Sequence, residues 1–249
     1  MTEKDIEPPA VPASAPGRWD WRPKVRWFVA EIVVVVSGVL IALAANAWVG
    51  ERAARAEERT VLRSLRADFE TNRGRLDSLD LFNERVLESG QAILSLLGAE
   101  PPATDPSRID SLISVLVEWD AYEPVTGRLD ALLSSGQIGL VQNDRLQAAL
   151  AAWGTVLADV RENEQIVVDM HYDHVAPYLW EHVQVRTLGY GAGYARVAGP
   201  SVFRHDHRGM LSDPQFEDLV VERMFNVEAM MADGRDARHA IDEILGLIE

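Results

Sequence analysis

The sequence predicts an all-α chain: one N-terminal transmembrane helix continuing into a long heptad-type helix, plus an antiparallel helical bundle domain. Three observations predict it. Residues 32–49 form 18 consecutive positions without a charge, close to the roughly 20 apolar residues that a helix needs to cross a bilayer. From 51 to 97, apolar and amide positions recur at alternating spacings of three and four, the signature of a helical seam. The remainder carries two more long amphipathic stretches and no run with the two-residue period of a strand.

Residues 1–26 come first. Their opening, MTEKDIEPPAVPASAPG, has little apolar surface to bury and reads as disordered. The basic, aromatic stretch RWDWRPKVRW follows. Trp19, Trp21 and Trp27 suit a membrane interface, and Arg22, Lys24 and Arg26 suit an anionic cytoplasmic surface. Residues 27–49 are the expected span. Ala45-Asn46-Ala47 has the small-x-small form of a signal-peptidase site. The long lead and the unbroken passage into ERAARAEERTVLRSLRADFE favour a retained anchor over a cleaved signal. Within the span, Glu31 lies near one end, where its carboxylate can reach the headgroups. Gly38, Ala42 and Asn46 are spaced by four, a small face that permits close helix packing. Trp48 completes the residues read as the anchor.

Residues 50–249 are read as one helical bundle domain. The stripe on its first helix runs Leu62, Leu65, Phe69, Asn72, Leu76, Leu79, Asn83, Val86, Gly90, Ile93 and Leu97. Asn72 and Asn83 are polar on that stripe, and such residues fix register. Gly98 and Pro101-Pro102 stop the helix. A short helix is expected at 106–119, capped by Asp105 or Ser107. Thr126 caps another, ending at Gly136, and 137–141 reads as an extended link. Asn143 caps a second long helix over 144–182, with Leu146, Leu150, Trp153, Leu157, Val160 and Val167 inward and Pro177 expected to kink or end it. Residues 183–211 are irregular; the Gly- and Tyr-rich 188–194 lacks the ending of a phosphate loop. Ser212 is the expected cap of the last helix, with Pro214 in its first turn. Its stripe is Phe216, Val220, Val227, Met230, Ala237, Ile241, Ile244 and Ile248, and Gly234 is expected to break it.

Charge narrows the partners. Residues 1–50 hold five Lys or Arg and five Asp or Glu, so the whole net charge of −15 lies after residue 50. A domain this acidic repels phosphate backbones, which argues against nucleic-acid binding. The chain has no cysteine, which excludes disulfides and thiol catalysis. Basic residues flank the span on both sides. Those in the short tail weigh more than those in a long translocated domain, so the N-terminus is expected in the cytoplasm and the domain outside the inner membrane.

The stretch Ala30-Glu31-Ile32, the valines, Ser37-Gly38-Val39-Leu40-Ile41-Ala42-Leu43, then Asn46, Trp48, Glu51 and Arg52 resembles the anchor of a family of uncharacterised bacterial single-pass membrane proteins. A second block is similar to that family's middle segment: Tyr122-Glu123-Pro124, then Asp130 through Ile138, Asn143 and Leu146. The resemblance implies a membrane anchor plus a helical domain and carries no activity with it.

One cluster has residue types that could do chemistry. Asp169, His171, Asp173, His174, Tyr178, Glu181 and His182 fall on the second long helix. Spacings of three and four place His171, His174 and His182 on a shared face, from which they could ligate a metal with help from His205-Asp206-His207. The competing reading is a set of hydrogen-bonded histidines beside a proline. Other catalytic patterns are missing from the sequence: no G-x-S-x-G, no H-E-x-x-H. The expectation is a non-catalytic membrane scaffold or accessory subunit with no cofactor. Its partners are the lipid bilayer and either itself or other membrane subunits, such as those of an energy-converting complex. A ligand-sensing extracytoplasmic domain and a metal protein are the alternatives.

Overall fold

Apolar side chains at three–four spacing choose helix wherever the chain is described. The computed structural model describes residues 22–98, 105–188, 202–203 and 207–248, all-α and without a strand among them. The Pro-rich tail, Pro101-Pro102, residues 189–194 and His205-Asp206 lie outside the described residues. The chain divides into two units, Met1–Arg55 and Ala56–Glu249. Helix α1 (Arg22–Leu94) contributes to both.

In the first unit α1 carries one segment apolar and long enough to cross a membrane. At about 1.5 Å per residue, 27–49 extends about 34 Å, against a hydrocarbon core of about 30 Å. Its large apolar side chains face outward, Trp27 at 68% exposure and Val34 at 70%. Glu31, Gly38, Ala42, Asn46 and Trp48 are exposed with them. At the far end the Arg52 guanidinium lies 5.4 Å from the Trp48 ring centroid, and Arg55 pairs with Glu51 at 3.4 Å.

In the second unit the heptad stripe of α1 is the buried one. Leu65, Phe69, Asn72, Leu76, Leu79, Asn83, Val86, Gly90 and Ile93 are all buried. Asn72 is matched in full: its Nδ2 donates to the Val125 carbonyl (3.0 Å) and its Oδ1 accepts from the Val125 N–H (2.6 Å). Asn83 differs, with Nδ2 buried and without a partner among the described residues. The helix ends at Leu94, followed by a turn in which Gly98 takes φ +68° and donates its N–H to the Leu211 carbonyl at 3.1 Å.

Helix α2 (Pro106–Val117) is capped by Asp105, whose carboxylate accepts from the Ser107 N–H. Helix α3 (Gly127–Ser134) starts at Thr126 without a side-chain cap bond and stops before Gly136, which takes φ +71°. The expected extended link is instead a 3-10 helix, Gln137–Leu140. So few residues separate the Gly136 reversal from the Asn143 cap that a tight i→i+3 turn spans them. Asn143 caps α4 (Asp144–Met170), accepting from the N–H groups of Arg145 and Leu146. All six predicted inward positions on α4 are buried.

Pro177 neither ends this helix nor leaves it regular. A π-helical turn, His171–Val175, joins α4 to α5 (Ala176–His182), and the Ala176 N–H reaches back to the His171 carbonyl. Proline lacks an N–H and its ring clashes with the carbonyl four residues back, here that of Asp173. Widening the turn just before Pro177 relieves that clash.

Two short helices follow, α6 (Val185–Leu188) and α7 (His207–Leu211), and then α8 (Pro214–Ile248). Two expectations fail on α8. Its cap is Asp213, which takes the Gln215 N–H on its side chain at 2.9 Å, and not Ser212. Gly234 does not break the helix: it is buried, and a Cβ there would meet Asp80 Oδ1 at 3.6 Å. Packing against α1 holds the glycine in place despite its poor propensity.

Helix α8 runs antiparallel to both long partners. Arg73 pairs with Asp242 and Gly90 lies against Met224 on one side. Arg145 faces Glu243 and Asn226 bonds Met170 on the other. Two cores result. One gathers Leu65, Phe69, Leu76, Leu146, Trp153 and Ile241; the other gathers Val86, Ile93, Ile113, Met170, Met210 and Val220. Phe82 packs against both.

Candidate functional site

The stripe of α8 continues through a position where a base stands. Phe216, Val220, Val227 and Met230 are buried, and between them the three–four spacing falls on Arg223, only 5% exposed. Its guanidinium reaches the end of α2. Nε donates to the Leu116 carbonyl at 3.2 Å and Nη2 to the Glu118 carbonyl at 2.8 Å. These carbonyls belong to the helix terminus, where the last groups lack intrahelical partners and carry partial negative charge. Nη1 is buried without a partner among the described residues, and none of their ion pairs includes Arg223. Burial pushes its pKa down to about 10, which leaves it charged at neutral pH.

Beside Arg223 lies a cavity walled by Val167, Met170, Val175, Leu179 and Val220, with Trp119 and His171 also in its lining. The space between these side chains is about 440 Å³ with its open mouth included, and its interior room is about 20 Å³, enough for about one water molecule. His171 is half-buried; burial first, and then the Arg223 charge, lower its pKa from the ordinary histidine value. Its imidazole is therefore neutral at pH 7. The Tyr172 ring meets it edge-on, centroids 5.1 Å apart.

The predicted histidine face assembles in part: His174 and His182 line one open hollow with Asp173, Tyr178 and Glu181, while His171 lines the cavity beside Arg223. The π turn advances each residue by less rotation than an α turn, so His174 swings off the face of His171 and is exposed. His182 is held by its own helix. Its Nδ1 lies 2.8 Å from the Tyr178 carbonyl, so Nδ1 carries the proton, and its ring stacks on Tyr178 at 4.0 Å. The Tyr178 hydroxyl donates to Asp213 (2.9 Å), and burial followed by that carboxylate raises its pKa. His207 bonds Asp110 on α2 at 2.8 Å. Among the described residues no group of three or more His, Asp or Glu side chains comes together to hold a metal ion.

The three tryptophans of the domain divide. Trp153 is core, edge-to-face with Phe69 at 5.4 Å; Trp119 is 43% exposed beside the cavity; Trp180 is on the surface. Arg128 pairs with Asp68 at 3.5 Å at the surface. Sequence reasoning passed over Arg223. The signal was present: extending the stripe from Val220 to Val227 requires an inward position between them, and that position is an arginine. No protein-family model matches the chain, and no curated protein or solved structure matches it either.

Proposed function

We propose that the chain is a single-pass protein of the bacterial inner membrane whose helical domain acts by contact with other proteins, as a scaffold or accessory subunit. The observation that carries this reading is the outward-facing apolar segment of α1 over 27–49, whose large apolar side chains are exposed among the described residues. In water such a surface is untenable; in a bilayer it is the surface a span needs. The aromatic ends, Trp27 and Trp48, fit interfacial belts. Large apolar side chains exposed on the domain, Leu81, Tyr172, Trp180 and Phe225, support contact with partners, because aromatic residues are enriched where proteins meet. The basic tail residues support an N-terminus in the cytoplasm and a domain on the other side. The resemblance of the anchor to uncharacterised single-pass proteins agrees with this reading.

The test is extraction of membranes with alkaline carbonate, followed by native-gel analysis in mild detergent and crosslinking in intact cells. The expected results are retention in the membrane and migration above the monomer. A soluble, full-length product defeats the anchor. A lone monomer at membrane-like concentration, with no crosslinked partner, defeats the scaffold. Protease protection of the domain in intact cells, lost when the outer barrier is opened, reads the orientation.

A further inference from the structure

We propose that residues 118–126 are a proton-set clasp across the bundle: one proton taken up by Glu164, which Asp120 and Glu123 crowd, tightens the clasp, and loss of that proton loosens it. The device is independent of the scaffold role. Three features define it.

First, the segment is tied down by side chains. It joins α2 to α3 without a helix or strand of its own, so its backbone groups need partners from elsewhere. Three helices supply them. Arg223 of α8 donates to the Glu118 carbonyl at 2.8 Å. Glu164 of α4 accepts the Tyr122 N–H at 2.5 Å. On α1, Arg75 donates to the Glu123 carbonyl and Asn72 exchanges two bonds with Val125. Between these ties the Tyr122 side chain is buried in the Trp153 core, and its hydroxyl donates to the Asn72 carbonyl at 3.3 Å.

Second, one tie alone changes charge in mild acid. Arginine stays protonated there and asparagine has no charge to change. Glu164 has an ionisable carboxyl, and it is half-buried. Burial first raises its pKa above the ordinary glutamate value. The Tyr122 N–H and Arg161 of its own helix oppose that rise, while Asp120 and Glu123 of the segment add to it. The other helices packed here bring Arg75 of α1 and Arg238 of α8, whose charges act on Tyr122.

Third, protonation keeps the bond and removes the repulsion. A carboxylic acid still has an acceptor oxygen for the Tyr122 N–H, but it no longer opposes Asp120 and Glu123 or holds a charge away from water. With the segment open, Glu164 meets solvent and titrates at its ordinary value of 4.5. Between that value and the raised one, the closed segment binds a proton that the open segment lacks. Closure therefore strengthens as pH falls through the raised value and levels off below the ordinary one. Loosening draws Tyr122 away from the Trp153 core, so acidity sets how firmly α2 and α3 are joined across the bundle.

Hydrogen exchange read by mass spectrometry on the full chain in zwitterionic nanodiscs tests the clasp at pH 7.5 and 5.0. Rates are corrected for the intrinsic effect of pH, and protection of 118–126 is expressed relative to the α4 core around Leu150 and Trp153. Relative protection is expected to rise at least about twofold at pH 5.0. Glu164→Gln, neutral at both pH values and still an acceptor, should hold the higher protection throughout and show no rise. Asp120→Asn combined with Glu123→Gln leaves Glu164 and its bond in place and should shrink the rise, with circular dichroism confirming the fold of each variant. No rise, or a fall, in the unmodified chain overturns the proposal whatever the variants do. A full rise in folded Glu164→Gln overturns it as well, and so does an undiminished rise in the folded double variant.

Discussion

Two arginines on α8 serve the two cores of the domain in opposite ways. Arg238 lies on the side of the Trp153 core and is clamped between Asp77 and Asp80 of α1. Arg223 lies in the Met210 core, more deeply buried, and has only helix-end carbonyls. The asparagines of α1 repeat the contrast: Asn72 exchanges two bonds with Val125, while Nδ2 of Asn83 has no partner among the described residues. The first core also has regular helices, whereas the second holds the π turn and the cavity. Trp153 Nε1, buried without a partner, is the exception on the regular side. Where buried polar groups are matched, a core specifies one packing more sharply.

The largest expected effect probes the regular core. Trp153→Ala should destabilise by about 3–5 kcal/mol, through lost transfer energy and the cavity left behind. Met210→Ala in the other core should lose less, because fewer atoms are removed. Urea unfolding of both variants compares them, and a larger loss at Met210 breaks the contrast.

Next comes the amide pair. Asn72→Leu strands the Val125 N–H and C=O, at about 1–3 kcal/mol for each orphaned group. Asn83→Leu removes a donor that lacks a partner and should change stability by less than about 1 kcal/mol. Equal losses in denaturant midpoints would erase the distinction between them.

A smaller effect follows from His171. Its folded pKa is lowered, so between the folded value and the ordinary value of about 6.5 the unfolded chain holds a proton that the folded chain refuses. Stability is therefore complete above about pH 6.5, declines as pH falls through that value, and levels off below the folded pKa. His171→Gln should flatten this part of the slope. Midpoints at pH 7.5 and 5.5 in both proteins provide the check; an unchanged slope removes His171 from the account.

The smallest effects concern two buried glycines. A Cβ on Gly234 makes ordinary contact with Asp80, so Gly234→Ala should stabilise by up to about 1 kcal/mol through helix propensity. A Cβ on Gly90 falls 2.6 Å from Met224 Sδ. The flexible methionine must move, which cancels much of the same gain. Thermal melting should rank Gly234→Ala above Gly90→Ala.

Much of the fold was legible because periodicity is a local property. The α1 stripe, the inward face of α4 and the caps Asp105 and Asn143 follow from residue type and spacing alone. What escaped depends on tertiary contact. Pro177 announced a disturbance, but a kink, a stop and a widened turn all answer its missing N–H, and packing chose the third. Gly234 was expected to yield, yet α1 holds it. Arg223 escaped because only apolar residues were accepted on the stripe, although the spacing passes through it. His171 parted from His174 and His182 for a related reason: one wide turn changes the rotation on which the spacing argument depends.

Asn72 also bears on how the chain finds this arrangement. Its partner Val125 is 53 positions along the chain, so the pair closes only after α1 and the segment leading into α3 have met. Helical turns form much faster than loops of that length are ordered. A misaligned early collapse would press the Asn72 amide against hydrocarbon with nothing to bond, and it would dissolve before it consolidated. The residue thus acts as proofreading during assembly, making the wrong alignments short-lived.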